Sequence, residues 1–401
     1  MVLTIALSIM QLYAQQTEIR RSEYRRMDEE GKIINVVQLE IGGRYFYDID
    51  ENTHTAIFKM WYGRENDTEL IIPSSIDYNG VTYKIVALGD DVGNQNEKLE
   101  KVIIPEGVTR IKGFAYCYGL KSITIPSSAT EIGSNAFRDC IELENIVLPD
   151  GLSTLGYRAF YNCVKLKSIV IPSGVASIES GVFHNCQQLS SITIPPSVTE
   201  IGEEVFVGCE NLKTINLNEG LISIGKWAFS HCTALKSIIL PNSLKKLAPF
   251  AFGECTSLES VKLPESLKVI PEAAFVRCEA LTNIEFPESI YVIERSAFRE
   301  CTSLKKVELP KNLTALNNCV FQSCSSLIEI VIPEGVTKIG YGSFHSCNSL
   351  TDIFCYSEMP PAIDGAFDGI PLEQVTVHVP VVKKYKKDFF WKTFDKFVPI
   401  Q

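Results

Sequence analysis

Basic residues are outnumbered, histidine is scarce, and no long apolar run occurs beyond the first residues of the chain. Lysine and arginine total 38 against 48 aspartates and glutamates, a net charge of −10 over 401 residues. A nucleic-acid binder needs a basic face, so that class is set aside. Past residue 14 no stretch reaches the roughly 18 apolar residues of a membrane-spanning helix. The five histidines, His54, His184, His231, His345 and His378, are too scattered to build one site. H-E-x-x-H, G-x-S-x-G and G-x-x-x-x-G-K-S/T are all missing, which leaves three common catalytic schemes without their machinery. No enzyme activity and no cofactor are expected. Thirteen cysteines in this length fall short of a disulfide scaffold.

The first residues carry their own signal. Val2 to Met10 is an apolar run, and Leu12-Tyr13-Ala14 places a small residue before Gln15. This fits a secretory leader over residues 1–14, although no lysine or arginine precedes Arg20. The first cysteine is Cys117, so lipid attachment through a thiol near residue 14 is not expected. The expected location is extracellular or at the cell surface.

What is present is a period of 23. Cys117, Cys140, Cys163, Cys186, Cys209, Cys232, Cys255, Cys278, Cys301, Cys324 and Cys347 are each 23 residues apart. A leucine follows each three residues later, from Leu120 to Leu350, and phenylalanine keeps the same period from Phe114 to Phe367. Further apolar columns run through Ile125, Leu148 and Ile171, and through Ile132, Leu155 and Ile178. Proline follows the strand column except at Asn218 and Tyr356.

One such coil cannot enclose its own apolar face, so it must bury that face against identical neighbours. In Leu143-x-x-Ile146-x-Leu148, Ile146 and Leu148 alternate about Val147 as in a short strand, and Pro149 ends it for want of an N–H. Gly156 to Cys163 reads as a short helical turn carrying Ala159 and Phe160 inward. The expected fold is a strand-dominated α/β solenoid, with a parallel β ladder on one face and short helical turns on the other. Residues 15–69 read as an N-terminal β cap, 70–371 as the solenoid, and 372–401 as a final strand and capping helix. In that tail Tyr385/Phe389 and Phe390/Phe394 stand at i, i+4.

The run Leu-x-x-Ile-x-Ile-Pro-x-x-Val-x-x-Ile-Gly-x-x-Ala-Phe-x-x-Cys, as in Leu189 to Cys209 and Leu327 to Cys347, resembles the BspA-type leucine-rich repeat of bacterial surface and secreted proteins. The resemblance covers about residues 70 to 379. It implies a leucine-rich repeat solenoid with a binding or adhesion role and names no ligand. The position of the asparagine ladder in commoner repeats is Ser128, Gly151 and Gly174 here, with Asn312 an exception.

The chemistry-bearing residues read mostly as structure. Stacked cysteines point the same way, which keeps their sulfurs near 5 Å apart instead of about 2.05 Å, and a straight column cannot offer zinc a tetrahedron. The eleven are therefore expected to be a structural ladder of buried thiols. Cys319 lies outside it, in a column with Arg158, Glu204 and Ser296, and is expected to be exposed and reactive. Asp48-x-Asp50-x-Asn52 opens like a calcium loop, but Thr53 and Lys59 stand where glycine and glutamate are needed. Glu265 and Glu288 form an acidic column that reads as solvated. The tail from Pro380 holds six lysines against two aspartates, among Phe389, Phe390, Trp391, Phe394 and Phe397. A cap accounts for those aromatics if they point inward, and an anionic membrane is the other reading.

Specificity must then sit in variable columns. On the strand face the outward residues include Asn216, Ile239, Lys262, Glu285 and Glu308. On the opposite side Trp227 and Phe250 share a column in successive coils, with Tyr157 and Tyr161 further along. These are the candidate binding residues, for a protein or cell-surface ligand or a glycan.

Overall fold

A computed structural model of the chain describes residues 18–27, 33–64 and 67–400, and the expected leader lies outside the described residues. The chain forms two compact units, one ending at Val164 and the other beginning at Lys165. Both are strand-dominated parallel solenoids.

In the first unit Ile19–Met27, Ile33–Ile41, Tyr45–Asp50 and Thr55–Trp61 form an antiparallel meander. Alternation turns Tyr47, Ile49, Ala56 and Phe58 into the core. The sequence that mimics a calcium loop is a hairpin turn: Asp50 Oδ1 accepts the N–H groups of Asn52 and Thr53 at 2.8 and 3.2 Å. The Asn52 N–H holds the Asp50 carboxyl below its usual range. Asn79 and Gly80, with φ of 50° and 76°, make the tight turn between Ser75–Tyr78 and Val81–Asp91. Thr55–Trp61 pairs in parallel with Val81–Asp91, which continues into Arg110–Ile111, Glu131–Ile132 and Thr154–Leu155. A separate parallel ladder holds Glu69–Ile71, Lys101–Ile103 and Ser122–Thr124.

Each coil thus feeds two ladders, where the spacing argument anticipates one. The second unit repeats the plan. Its principal ladder includes Ser191–Thr193 with Thr214–Asn216, Ser237–Ile239 with Ser260–Lys262, and a six-stranded sheet from Asn283–Ile284 to Lys396–Pro399. Its second ladder consists of two-residue strands such as Glu200–Ile201, Ser223–Ile224 and Lys246–Leu247.

The third side of the coil carries tight turns in place of the expected short helical turns. The cause is two left-handed residues per turn, one two places before the core phenylalanine and one two places after it. Around Phe229 they are Trp227 and His231, with φ of 54° and 59°; around Phe298 they are Ser296 and Glu300, at 58° and 61°. Left-handed residues interrupt a right-handed helix. The peptide groups turn toward the next coil instead: Phe229 N–H donates to Ala251 O at 2.8 Å and Phe298 N–H to Val320 O at 2.9 Å. In the first unit Phe137 N–H donates to Ala159 O at 2.8 Å. The rings stack in register, with centroids 5.1–5.8 Å apart in the second unit.

The cysteine column is free and buried, and it does more than fill space. Most of these thiols donate to the carbonyl of a phenylalanine one coil back, and Cys117 Sγ, at the start of the column, donates to Gly93 O at 2.8 Å. Cys140 Sγ lies 3.2 Å from Phe114 O, and the series from Cys209 to Cys347 spans 3.1–3.3 Å. Burial pushes the thiols of Cys209, Cys255 and Cys347 from an ordinary 9.0 up to about 12.

Serine does the work of an asparagine ladder. Ser197, Ser243, Ser266 and Ser289 each donate Oγ to a carbonyl of the preceding coil at 2.6–2.7 Å. The coil with Gly220 at that position lacks the hydroxyl. There Asn218, which stands where other coils have proline, donates Nδ2 to Val198 O at 3.0 Å and to Pro195 O at 2.8 Å. Its Oδ1 accepts the Gly220 N–H at 2.6 Å. Asn218 is the exception in this coil, since the coils with Gly151 and Gly174 keep proline, and it supplies bonds that glycine cannot.

The C-terminal segment departs from the expected capping helix. The helix spans only Val382–Lys387, and a 3-10 turn at Trp391–Thr393 and the strand Lys396–Pro399 follow. Asp388 causes the break, since its Oδ1 accepts the N–H groups of Phe390 and Trp391 at 3.0 Å and redirects the chain. Tyr385, Trp391 and Phe394 are buried, whereas Phe389 and Phe390 face solvent. The cap reading therefore accounts for part of the aromatic set.

Two predictions follow from this packing. A Cβ at Gly220 would sit 2.9 Å from Asn218 Oδ1, so Gly220→Ser alone and Asn218→Ala alone should each lower stability by about 1–3 kcal/mol. Asn218→Pro with Gly220→Ser rebuilds the standard coil and should recover most of the loss in a double-mutant cycle of denaturant unfolding; strict additivity of the two losses contradicts the compensation. Thiols that stay protonated in the fold but ionise when unfolded make stability fall as pH rises. Denaturant midpoints should hold below pH 9.0 and decline toward pH 12, less steeply in a Cys209→Ala, Cys255→Ala, Cys347→Ala chain. An unchanged slope in that variant removes the linkage argument.

Candidate binding surfaces

On the strand face of the second unit the three-residue strands alternate exposed, buried, exposed. Ile215, Ile238, Val261 and Val307 point into the core. Asn216, Ile239, Lys262, Glu285 and Glu308 all point to solvent, and Ile239 leaves 67% of its surface exposed. An apolar side chain of that size in a wet column gains nothing from the fold.

The neighbouring column is partly neutralised by pairs between coils, Lys306 Nζ to Glu329 at 2.8 Å and Lys236 Nζ to Glu259 at 3.6 Å. Among the described residues Lys262, Glu285 and Glu308 have no ion-pair partner within 4.0 Å. A shallow groove lies beside Glu285, Phe286, Glu288, Glu308 and Lys311. Phe286 takes a place held by leucine in the adjacent coils and reaches the Phe298 ring edge-on at 5.6 Å.

Trp227 and Phe250 are half-buried, with ring centroids 5.9 Å apart at 37°. Lys226 Nζ sits 3.7 Å over the indole. Both residues have left-handed backbone, with φ of 54° and 58°. In the first unit Tyr157 and Tyr161 belong to a wider cluster that includes residues absent from the sequence reading. The Arg138 guanidinium lies 5.4 Å from the Tyr116 ring and 5.1 Å from that of Tyr161, and Arg158 lies 4.8 Å from Tyr157 and 5.0 Å from Tyr161. The available signal was an arginine and a tyrosine sharing a column, Arg138 and Tyr161, one coil apart.

Among the described residues no three of His, Cys, Asp and Glu converge on a point. Glu288 is 3.5 Å from Lys311 Nζ. His378 Nε2 meets Asp352 at 2.9 Å and stacks on Phe354 at 4.1 Å, contacts between neighbouring strands of the ladder. Cys319 is half-buried, less open than expected, with its sulfur 3.7 Å from Tyr341 O. No helix of the described residues is long and apolar enough to cross a membrane.

The coil just described, with a Leu-x-x-Ile-x-Ile-Pro strand, a serine ladder and a stacked Phe-x-x-Cys turn, matches the model of the BspA type leucine rich repeat region over residues 86–210, 176–290 and 268–394. The chain belongs to this family. Among solved structures it is similar to a leucine-rich repeat protein from Bacteroides ovatus, with 26% identity over 89% of this chain and 98% of the other, and a TM-score of 0.61. A leucine rich cell surface protein from Faecalibacterium prausnitzii shares 30% identity over 83% and 94% of the two chains, with a TM-score of 0.56. The pneumococcal vaccine antigen PcpA shares the fold at 20% identity, with a TM-score of 0.59 over 89% and 97%. No match is found among curated proteins.

Burial separates Cys319 from the other twelve cysteines, all of them buried. In native protein near neutral pH a thiol reagent should label a single equivalent at Cys319 within minutes, against all 13 in denaturant. Fast native labelling in a Cys319→Ser chain would show the ladder to be open.

Proposed function

We propose that this BspA-type repeat protein is an exported, non-enzymatic binding and adhesion protein that recognises a protein on a cell surface through the strand face of its repeats. The observation that carries the reading is the outward column Asn216, Ile239, Lys262, Glu285 and Glu308. It places one large exposed aliphatic residue beside charges that lack ion-pair partners. Protein interfaces combine such an apolar anchor with a polar rim, and a shallow face suits a folded partner better than a small molecule. The F. prausnitzii relative is described as a cell surface protein, which supports the same location here. Residues 15–69 and 372–401 are read as end caps, and 1–14 as the export leader.

A glycan ligand is a second reading, favoured by the half-buried, adjacent Trp227 and Phe250 rings with Lys226 over the indole.

Immobilised protein tested against purified matrix proteins and a glycan array distinguishes the two. On the first reading Ile239→Asp and the Lys262→Glu, Glu285→Lys pair should each weaken saturable protein binding by about tenfold or more, while Trp227→Ala with Phe250→Ala leaves it unchanged. The reverse pattern on glycans assigns the turn side. Equal binding by all variants with unaltered unfolding midpoints overturns both surfaces.

A further inference from the structure

The C-terminal segment exposes more apolar surface than a cap requires, and lysines surround it. Phe389 is 71% exposed and Phe390 43%, their rings in an edge-to-face pair 5.1 Å apart. Lys392 Nζ stands 4.7 Å from the Phe389 ring. The adjoining segment is pinned to the helix by Tyr385 Oη to Ser357 O and by Trp391 Nε1 to Pro361 O, both at 2.8 Å. That segment also exposes Met359, at 63%. Of the six tail lysines, Lys384 lies 3.9 Å from Glu358. Lys383, Lys386, Lys387, Lys392 and Lys396 have no carboxylate within 4.0 Å among the described residues. The tail from Pro380 is +4 in a chain of −10, so this basic surface is concentrated in a protein otherwise acidic.

From these observations we infer that the Phe389/Phe390 tip is a membrane-contact site that inserts into the interface of an anionic phospholipid surface, with Lys386, Lys387 and Lys392 on the headgroups. Two aromatic rings flanked by lysines form the combination that binds such an interface, where apolar burial and attraction to anionic lipid add. The backbone of the tip is prepared for a medium without water. The N–H groups of Phe390 and Trp391 are bonded to Asp388 Oδ1, those of Lys392 and Thr393 to the carbonyls of Asp388 and Phe390, and Thr393 Oγ1 also donates to Phe390 O. Desolvating the tip therefore leaves these donors satisfied. The same bonding disfavours capture of a peptide by strand addition, which needs open backbone groups.

Flotation of the full chain with phosphatidylcholine vesicles, with and without about 30% phosphatidylglycerol, tests the assignment. Binding is expected on the anionic vesicles alone and should fall as salt is raised to about 0.5 M. Phe389→Ser with Phe390→Ser should lower partitioning by about tenfold or more, and Lys386→Glu with Lys387→Glu should do the same. Both pairs lie at exposed positions and should keep the parent unfolding midpoint. A Phe389→Trp reporter should shift to the blue on anionic vesicles and be quenched by brominated lipid. The Lys262→Glu, Glu285→Lys variant should bind vesicles like the parent, which separates this site from the strand-face reading. No partitioning to anionic vesicles, partitioning untouched by the phenylalanine pair, or a dimer lost in that pair without vesicle binding each overturns the proposal, the last by assigning the tip to a second copy.

Discussion

The structure depends on each coil passing its hydrogen bonds to the next at one spacing on three sides at once. Two sides are parallel ladders. The third is set by the phenylalanine N–H groups, which reach the carbonyl before the next phenylalanine at 2.7–3.0 Å through the second unit. Rings whose centroids lie 5.1–5.8 Å apart and nearly parallel are offset stacks, so the aromatic column follows the backbone spacing. One inserted residue would displace three hydrogen-bonded columns together. That is the physical reason the period of 23 holds from Cys117 to Cys347, whereas in the last coil the strand registers step by 24, from Ile339 to Ile363 and from Ile353 to Val377. The thiol suits its place because it is small, tolerates full burial and still supplies a weak donor to the carbonyl behind it. Alanine lacks the donor, and serine brings a hydroxyl that is harder to dehydrate.

The exceptions show how narrow the tolerance is. Ser343 enters a column of alanine and valine, and its buried hydroxyl is accommodated by Gly340 O at 2.6 Å and Asn317 O at 2.9 Å. Asn218 replaces a proline and at once supplies the bond that Gly220 cannot. Non-glycine residues occupy most left-handed positions, at a cost of about 1 kcal/mol or more each. That cost recurs in every coil and is offset by the bonds between coils that the conformation permits. An isolated coil would have no such return, which is why the turn belongs to the array and not to its own sequence.

This also explains what was legible in the residues alone. Columns of Leu, Ile, Phe and Cys recur because the core recurs, so the principal ladder and the solenoid follow from spacing, and the repeat motif carries the resemblance to the family. The second ladder is harder to read: strands such as Ser223–Ile224 present a single inward residue, too little for an alternation to register. The left-handed turns hide behind Trp227, Phe250, Glu254 and Arg277, residue types that carry no local preference for that backbone. The helix ends early because Asp388 caps the following turn, which the i, i+4 aromatic pairing obscured. Of the candidate surfaces, the exposure of the strand column followed from strand alternation. The half-burial of Trp227 and Phe250, both left-handed in backbone, did not.

The distribution of perturbed groups bears on function in its own way. A catalytic site tunes an acid or base toward the working pH and exposes it to substrate. In this protein the largest displacements belong to buried thiols and to Tyr47 and Tyr385, all pushed upward by burial and so held neutral. Of the carboxylates drawn downward, Asp50, Asp67 and Glu106 accept backbone N–H groups, and Asp352 is bonded by the His378 and Thr351 side chains. These groups belong to the packing of the coils, and the outward columns carry charged, apolar and aromatic side chains. Recognition through such a surface comes from the pattern of many coils instead of one reactive group. A repeat array can change that pattern column by column while its core stays the same.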